Sequence, residues 1–382
     1  MPKGYGSLQT SDGVTWIKLP QLQNLRKVDA IAFDCDGVLV DARRSYDATI
    51  SKVVDQILAL TLRIKLPWKQ FAPRMIVQLR RIGKFNNDWD TTYALILFSV
   101  LALPAQAIRE LTAKRSTNGA WCINYSRIAV IRNVESIVKR FCSKSAKNVN
   151  AVEAVNSFVK ANTPSKAHGS VIDAVKRQIG YPGSPPKSLL STLFDEVYHG
   201  PILFRQMYGV GARHYAGRGL IENERVLIKR RDLDMTKNIL GRKKLAIITG
   251  RPFLAAEHVL RDVLSYFDVQ ASLFIGDIDV NPELASKLAG FRKPSGLGLT
   301  HVRIALSSNM LLYAGDSAED VEMVENARLE EEPVLSAGIY GTSVDRSEHL
   351  EFFMNRGVDL IIPSASKLPE VLRFVKNEKR AD

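Results

Sequence analysis

Asp34 and Asp36 stand one residue apart at the end of an apolar run, VDAIAFDCDGVLVD over 28–41. Residues i and i+2 of an extended strand project to the same side, so the two carboxylates are expected to converge on one substrate atom or one cation. Gly37 follows at once and permits the sharp turn that would hold both at the strand's carboxyl edge. That edge is where open α/β sheets bind ligands. An Asx turn after a buried strand would use the same residue types, so the pair alone does not decide between chemistry and structure.

Three later segments add groups of the same kind. KLAIITGRP at 244–252 is a second apolar run, and it ends in Thr249 and Gly250, a hydroxyl and free backbone N–H groups suited to phosphate oxygens. Lys293 stands before Pro294 in KPSGLGL, ahead of an expected helix start, where an ammonium can neutralise an anion. LLYAGDSAED at 311–320 is a third run, ending in Gly315, Asp316 and Asp320, hard oxygen ligands of a kind that suits Mg2+. Singly, each has a plain structural use: a β-branched strand residue with a glycine stop, a solvated loop cation, a helix cap with its acidic first turn. Jointly, a carboxylate pair, a threonine, a lysine and a second acidic pair, in that order and each on its own strand and turn, are hard to assemble by accident.

This ordered set closely resembles the haloacid dehalogenase-like (HAD) superfamily of hydrolases, subfamily I type, whose four motifs correspond here to FDCDGVLVD, IITGR, the lysine of KPSG and GDSAED. The match covers 28–41 and 241–365. Many relatives follow the lysine with Pro-x-Pro, whereas this chain has Pro294, Ser295 and Gly296. The resemblance implies that Asp34 is a nucleophile forming an aspartyl-phosphate, which divides one hard displacement into two easier ones. Asp36 would be general acid on the leaving alkoxide and general base on the hydrolytic water. Carboxylates so close together repel when bare and call for a divalent cation, so Mg2+ is the expected cofactor. Its expected ligands are Asp34, Asp316 and the backbone carbonyl of Asp36, with Asp320 as an outer partner. Thr249, Gly250 and Lys293 would take the phosphate oxygens. Asp36 has no obvious role in displacing a halide, so a phosphatase is favoured over a dehalogenase; a phosphomutase would use the same four motifs.

The fold class this implies is α/β: a Rossmann-like doubly wound parallel sheet, the HAD core, with an inserted, mainly α-helical cap domain. At 382 residues and 46% hydrophobic composition the chain can bury two cores. Motif spacing assigns 1–41 and 241–382 to the core and 42–240 to the cap. Strands are predicted at 245–249, 271–275, 311–314, 334–339 and 359–362, alternating with helices. In the cap, helical lengths fall at 46–64, 91–103 and 152–160, and the Ser/Pro/Gly-containing stretch 163–188 is expected to hold a loop that separates two halves of the cap or an irregular excursion. The apolar run 93–103 is too short to span a bilayer and reads as a buried helix, so no membrane partner is expected. With no apolar stretch at the N-terminus and three cysteines (Cys35, Cys122, Cys142) at unrelated spacings, a reducing, cytoplasmic setting is expected, without a disulfide framework or zinc site. The short runs 330–332 and 242–244 are expected to be solvated faces. Neither oligomeric state nor pathway is legible.

The net charge of +13 is unevenly divided. The range 42–240 holds 32 Lys and Arg against 14 Asp and Glu, while the remainder is acidic, with 21 against 26. A basic cap would attract a phosphorylated metabolite by steering: phosphoglycolate, a sugar phosphate or an amino-alcohol phosphate. The same charge could mark a polynucleotide-end phosphatase or a nucleic-acid-binding module, but the chain lacks helix-turn-helix, zinc-finger and aromatic-rich RNA-binding signatures. Scattered solubility residues would also account for it. Two cap segments carry candidate recognition residues. FNNDWDTTYAL (85–95) crowds Asn87, Asp88, Trp89 and Asp90 before an apolar helix, and resembles a segment of some archaeal and cyanobacterial HAD phosphatases; Asp88 or Asp90 capping that helix, with Trp89 stapled to it, would need no ligand. MYGVGARHYAGRGLIENERVLI (207–228) sets Arg213, His214 and Arg218 among four glycines, as a closing loop or as a plain hinge.

Overall fold

In a computed structural model the described residues are 4–62, 66, 68–83, 85, 87–112, 127–144, 149–163, 168–241, 244–343 and 345–377. They form two compact units, 1–43 with 223–382, and 44–222. These boundaries differ from the expected ones at 42 and 240, because the helix Arg230–Leu240 and the segment before it pack with the sheet-bearing unit.

That unit is built on an eight-stranded sheet. Its strands are β1 (Tyr5–Thr10), β2 (Gly13–Lys18), β3 (Ala30–Phe33), β6 (Leu245–Thr249), β7 (Leu273–Phe274), β8 (Leu311–Gly315), β9 (Val334–Ile339) and β10 (Leu360–Ile362), in the spatial order β1-β2-β10-β9-β8-β3-β6-β7. From β10 to β7 all pairs are parallel. Every residue of β3, β6, β8 and β9 is buried, which is why these strands read as continuous apolar runs rather than alternating ones. The cluster formed by Ala32, Ile248, Leu299, Val302, Tyr313 and Met323 fills one side of the sheet; Val321, Phe353 and Ile361 belong to another. A two-residue ribbon, β4 (Val40–Asp41) against β5 (Arg225–Val226), ties together the places where the chain leaves this unit and returns to it.

Strands β1 and β2 form an antiparallel hairpin that adds to β10 through Trp16 and Ile361. The motif-led reading passed over them. They are half-polar and half-exposed, as edge strands are, and their signal was the Asp12-Gly13 turn between short alternating runs.

The unit 44–222 contains helices and no strand among the described residues. The predicted helix at 46–64 runs Arg43–Leu62, that at 91–103 runs Asp88–Leu101, and that at 152–160 runs Ala151–Asn162. Within 163–188, His168–Ile179 is a helix that buries Val171, Ile172, Val175 and Ile179. Flanking Ser, Pro and Gly masked that periodicity. Cys35 and Cys142 are free thiols, the first buried; Cys122 lies outside the described residues, as do 242 and 243 of the basic run. No described helix is long and apolar enough to cross a membrane.

Candidate active site

Parallel pairing brings the three motif strands to one edge. Phe33 is level with Ala314 and with Ile247, and the N–H of Asp34 extends the ladder by donating to the carbonyl of Ala314 at 2.8 Å. Asp34, Thr249 and Asp316 therefore stand at or just past the carboxyl ends of the neighbouring strands β3, β6 and β8.

The side chain that joins them is Lys293. Its Nζ is 3.0 Å from Asp34 Oδ2 and 2.7 Å from Asp320 Oδ1, and all three side chains are largely buried. Tyr313 donates its hydroxyl to the same Asp320 oxygen at 2.7 Å. The other oxygen of Asp320 accepts from the N–H groups of Asp316 and Ser317 at 3.1 and 2.9 Å, and from the Ser317 hydroxyl at 2.7 Å. Ser317, rather than Asp316, caps the helix Ala318–Leu329, and its reciprocal bonds with Asp320 form a capping box. Asp320 thus fixes a loop, a helix start and a lysine together.

Asp316 lies against Gly37. A Cβ on Gly37 would fall 1.8 Å from Asp316 Oδ2, and Gly37 has φ of +74°. Only glycine meets both conditions, so the glycine that turns the first motif also makes room for the carboxylate of the fourth. The Asp316 carbonyl accepts from His349 Nε2 at 2.7 Å, which identifies the ring's Nε2–H tautomer. His349 was missed from the sequence, where it follows the four motifs in an otherwise ordinary helix.

Electrostatics set the character of the site. Burial pushes the Asp34 carboxyl up to about 7; Lys293 opposes this, while Asp320 and Asp36 reinforce it. Burial and the nearby Asp320 and Asp34 raise Asp316 well above the usual carboxylate range. Burial acts upward on Asp320 too, but Lys293 and the hydrogen bonds from Lys293, Ser317 and Tyr313 outweigh it and hold that group low. Burial works against the charge of Lys293, yet Asp320 and Asp34 overcome it and raise its pKa well above normal.

Asp34, Asp316 and Asp320 each offer a carboxylate oxygen, all within 4.8 Å of one another. Three acidic groups against one ammonium leave excess negative charge in a buried space, and two of the three are pushed toward protonation. A hard divalent cation such as Mg2+ fits that donor set.

Asp36 lies past the end of β3 at Phe33 and near enough to Asp34 for its charge to raise the Asp34 pKa. Its carboxylate lies outside the three-acid group and is held by Arg251. Thr249 is fully buried and its hydroxyl accepts from the Arg251 N–H at 3.1 Å, while Gly250 faces open space where a Cβ would meet nothing within 4 Å. Arg251 was also missed, although it stands in plain view after Thr249 and Gly250.

In the helical unit, the candidates are engaged among themselves. Asn87, not Asp88 or Asp90, caps the helix Asp88–Leu101, accepting from the Trp89 and Asp90 N–H groups at 2.8 and 3.4 Å. Asp88 pairs with Arg80 at 3.0 Å, and Arg80 also reaches Asp47 at 2.8 Å. Trp89 donates its indole N–H to Asp195 at 3.2 Å, and Asp90 accepts from the Tyr181 hydroxyl at 2.5 Å. Arg213, His214 and Arg218 are exposed. The loop carrying them is anchored by the fully buried Glu196, which accepts the Arg213 and His214 N–H groups at 2.8 and 2.7 Å. Arg218 approaches Glu222 at 3.4 Å.

No family model matches the chain, and no curated protein sequence matches it. Among solved structures, the X-ray structure of Northeast Structural Genomics Consortium target ZR25 is similar at 16% identity and a TM-score of 0.61, over 91% of this chain and 99% of that one. Phosphatase Tt82 from Thermococcus thioreducens aligns at 20% identity and a TM-score of 0.49, over 86% and 99%. The first likeness shows a shared fold along nearly the whole chain. That fold, a Rossmann-like parallel core with an inserted helical unit, and the gathering of motif residues at one sheet edge are what the HAD resemblance implies.

Proposed function

We propose that the chain is an Mg2+-dependent phosphatase that hydrolyses a small phosphomonoester through an aspartyl-phosphate. The observation that carries this reading is Lys293 bridging Asp34 and Asp320 beside Asp316: a buried carboxylate at a strand end, with countercharge and a divalent-cation donor set around it. Phosphoryl transfer asks for positioning and countercharge of this kind more than for covalent machinery.

Asp34 attacks phosphorus as the bond to the leaving oxygen breaks, and Asp36 gives that oxygen a proton. Asp36 then takes a proton from water as the water attacks the phosphorus of the aspartyl-phosphate, releasing inorganic phosphate and restoring Asp34. Lys293, the Thr249 hydroxyl and the Gly250 N–H hold phosphate oxygens. Asp34, Asp316 and the backbone carbonyl of Asp36, with Asp320 as an outer partner, would hold Mg2+, which when bound supplies positive charge to the phosphate oxygens and relieves repulsion among the carboxylates. The basic composition of 42–240 favours an anionic small molecule, and the free thiols Cys35 and Cys142 suit a reducing compartment such as the cytoplasm.

The test is phosphate release from a panel of phosphomonoesters, with and without Mg2+, for the wild type beside Asp34→Asn. Release that needs Mg2+ and vanishes in the variant is expected. Little release, with transfer between positions of a sugar phosphate that requires a bisphosphate activator, would replace hydrolysis by a mutase reaction.

A further inference from the structure

Asp36 is the half-exposed member of a buried chain of charge. The Arg251 side chain is 1% exposed and its Nε donates to Asp36 Oδ1 at 2.8 Å, with Nη2 on the same oxygen. On its far side, Nη1 lies 2.8 Å from Oε2 of Glu224, whose side chain is completely buried. Glu224 immediately precedes β5, and β5 is paired to β4 with the Leu227 N–H donating to the Leu39 carbonyl at 2.8 Å. The turn that carries Asp36 is itself closed, by Gly37 N–H on the Val40 carbonyl and by Leu39 and Val40 N–H on the Cys35 carbonyl. The backbone of Asp36 and the guanidinium that grips its side chain are therefore tied to the same small ribbon.

A guanidinium is a planar fork, and fixing one edge fixes the direction in which the other donates. A buried arginine serving Asp36 alone would leave its outer edge unbalanced; Glu224 neutralises that edge and anchors it. We propose that Arg251, anchored by Glu224, is a positioning residue that holds Asp36 by Oδ1 and leaves Oδ2 for the proton transfers of the reaction. This assignment rests on the phosphatase reading and deepens it: neither residue touches substrate, and both act through Asp36.

Leaving-group dependence separates this role from a merely structural one. An alkoxide needs a proton as it departs, whereas p-nitrophenolate is stable without one, so defects acting through Asp36 fall on alkyl phosphates more heavily. Steady-state kinetics of wild type, Asp36→Asn, Arg251→Lys, Glu224→Gln and the double variant Asp36→Asn/Arg251→Lys are to be compared on an alkyl phosphate and on p-nitrophenyl phosphate, with thermal melts showing that each is folded. Arg251→Lys keeps the charge and loses the fork. It is expected to lower kcat/KM, which reports departure of the leaving group, about tenfold or more on the alkyl ester, within the range general acid–base catalysis supplies, with a much smaller loss of kcat/KM on p-nitrophenyl phosphate. Glu224→Gln should show the same pattern more weakly, and the double variant should be no worse than Asp36→Asn alone, as expected for residues acting as one unit. Equal losses of kcat/KM on both esters, or additive losses in the double variant, overturn the assignment while leaving the phosphatase reading standing. A wild type that releases phosphate from no ester of the panel overturns both.

Discussion

The two units spend their polar side chains in opposite ways. At the sheet edge, Asp34, Asp316, Asp320 and Lys293 are drawn together in a buried space, and carboxyls there are pushed far from their ordinary range. In the helical unit, Asn87 caps a helix, Asp88 pairs with Arg80, Trp89 binds Asp195 and Asp90 accepts from Tyr181. The first arrangement concentrates like charge at a cost to stability, which structure alone does not need and a bound cation or phosphate would offset. The second distributes polar groups into local pairs, each of which stabilises the fold where it stands. Crowding of polar residues in a sequence therefore means little until one asks whether they satisfy one another or converge on a common point.

Substitutions sharpen this contrast. Asp34→Asn preserves size and removes the proposed nucleophile, and turnover should fall by about a thousandfold or more, the scale seen when a covalent nucleophile is lost; stopped assays on the preferred ester measure it. Lys293→Met leaves Asp34 and Asp320 without their shared ammonium. Turnover should fall about a hundredfold or more, and the melting temperature measured without Mg2+ should drop, since an unpaired buried carboxylate is left behind.

The linkage between pH and Mg2+ gives a subtler test. Because burial raises Asp34 to about 7 and lifts Asp316 as well, the cation-free folded protein keeps protons that the unfolded chain releases from the ordinary carboxylate range upward. Stability without Mg2+ should therefore decline as pH rises toward about 7. Mg2+ binds the ionised carboxylates, so the rise in melting temperature it causes should be larger above that value than below it. A Mg2+ effect that is the same at acid and alkaline pH would contradict the assignment of these carboxylates as its ligands.

Effects in the helical unit should be smaller and of another kind. Asn87→Ala removes a helix cap and should cost about 1 kcal/mol of stability, read in a denaturant titration, with kcat unchanged. Arg213→Ala with Arg218→Ala removes two exposed charges and should raise KM by a few-fold at low salt, less at high salt, since exposed charges are screened. A large loss of kcat in either would move chemistry into this unit.

Much of the sheet edge was legible beforehand because its signals are local. Apolar runs mark β3, β6 and β8, and the acidic residues, threonine and lysine follow them at strand ends. Gly37 was legible as a turn but not as the neighbour of Asp316, a contact between residues brought together only by strand pairing. The hold of Arg251 on Asp36 was not legible, because it joins residues far apart in sequence beyond the end of β3 at Phe33. Glu224 and His349 belong to no motif; each matters through a partner far away in sequence. Edge strands β1 and β2 were hidden by their polarity, and the helix His168–Ile179 by the turn-forming residues around it.

The central claim is that Asp34 itself carries the phosphoryl group. Acid-quenching the protein during turnover of a good phosphomonoester substrate with Mg2+, followed by peptide mass mapping, tests it directly. A labile phosphate is expected on the peptide containing Asp34, absent in Asp34→Asn and accumulating in Asp36→Asn, where hydrolysis of the intermediate would lack its base. Continued phosphate release with no covalent phosphate at Asp34, or with phosphate on another residue, would contradict it.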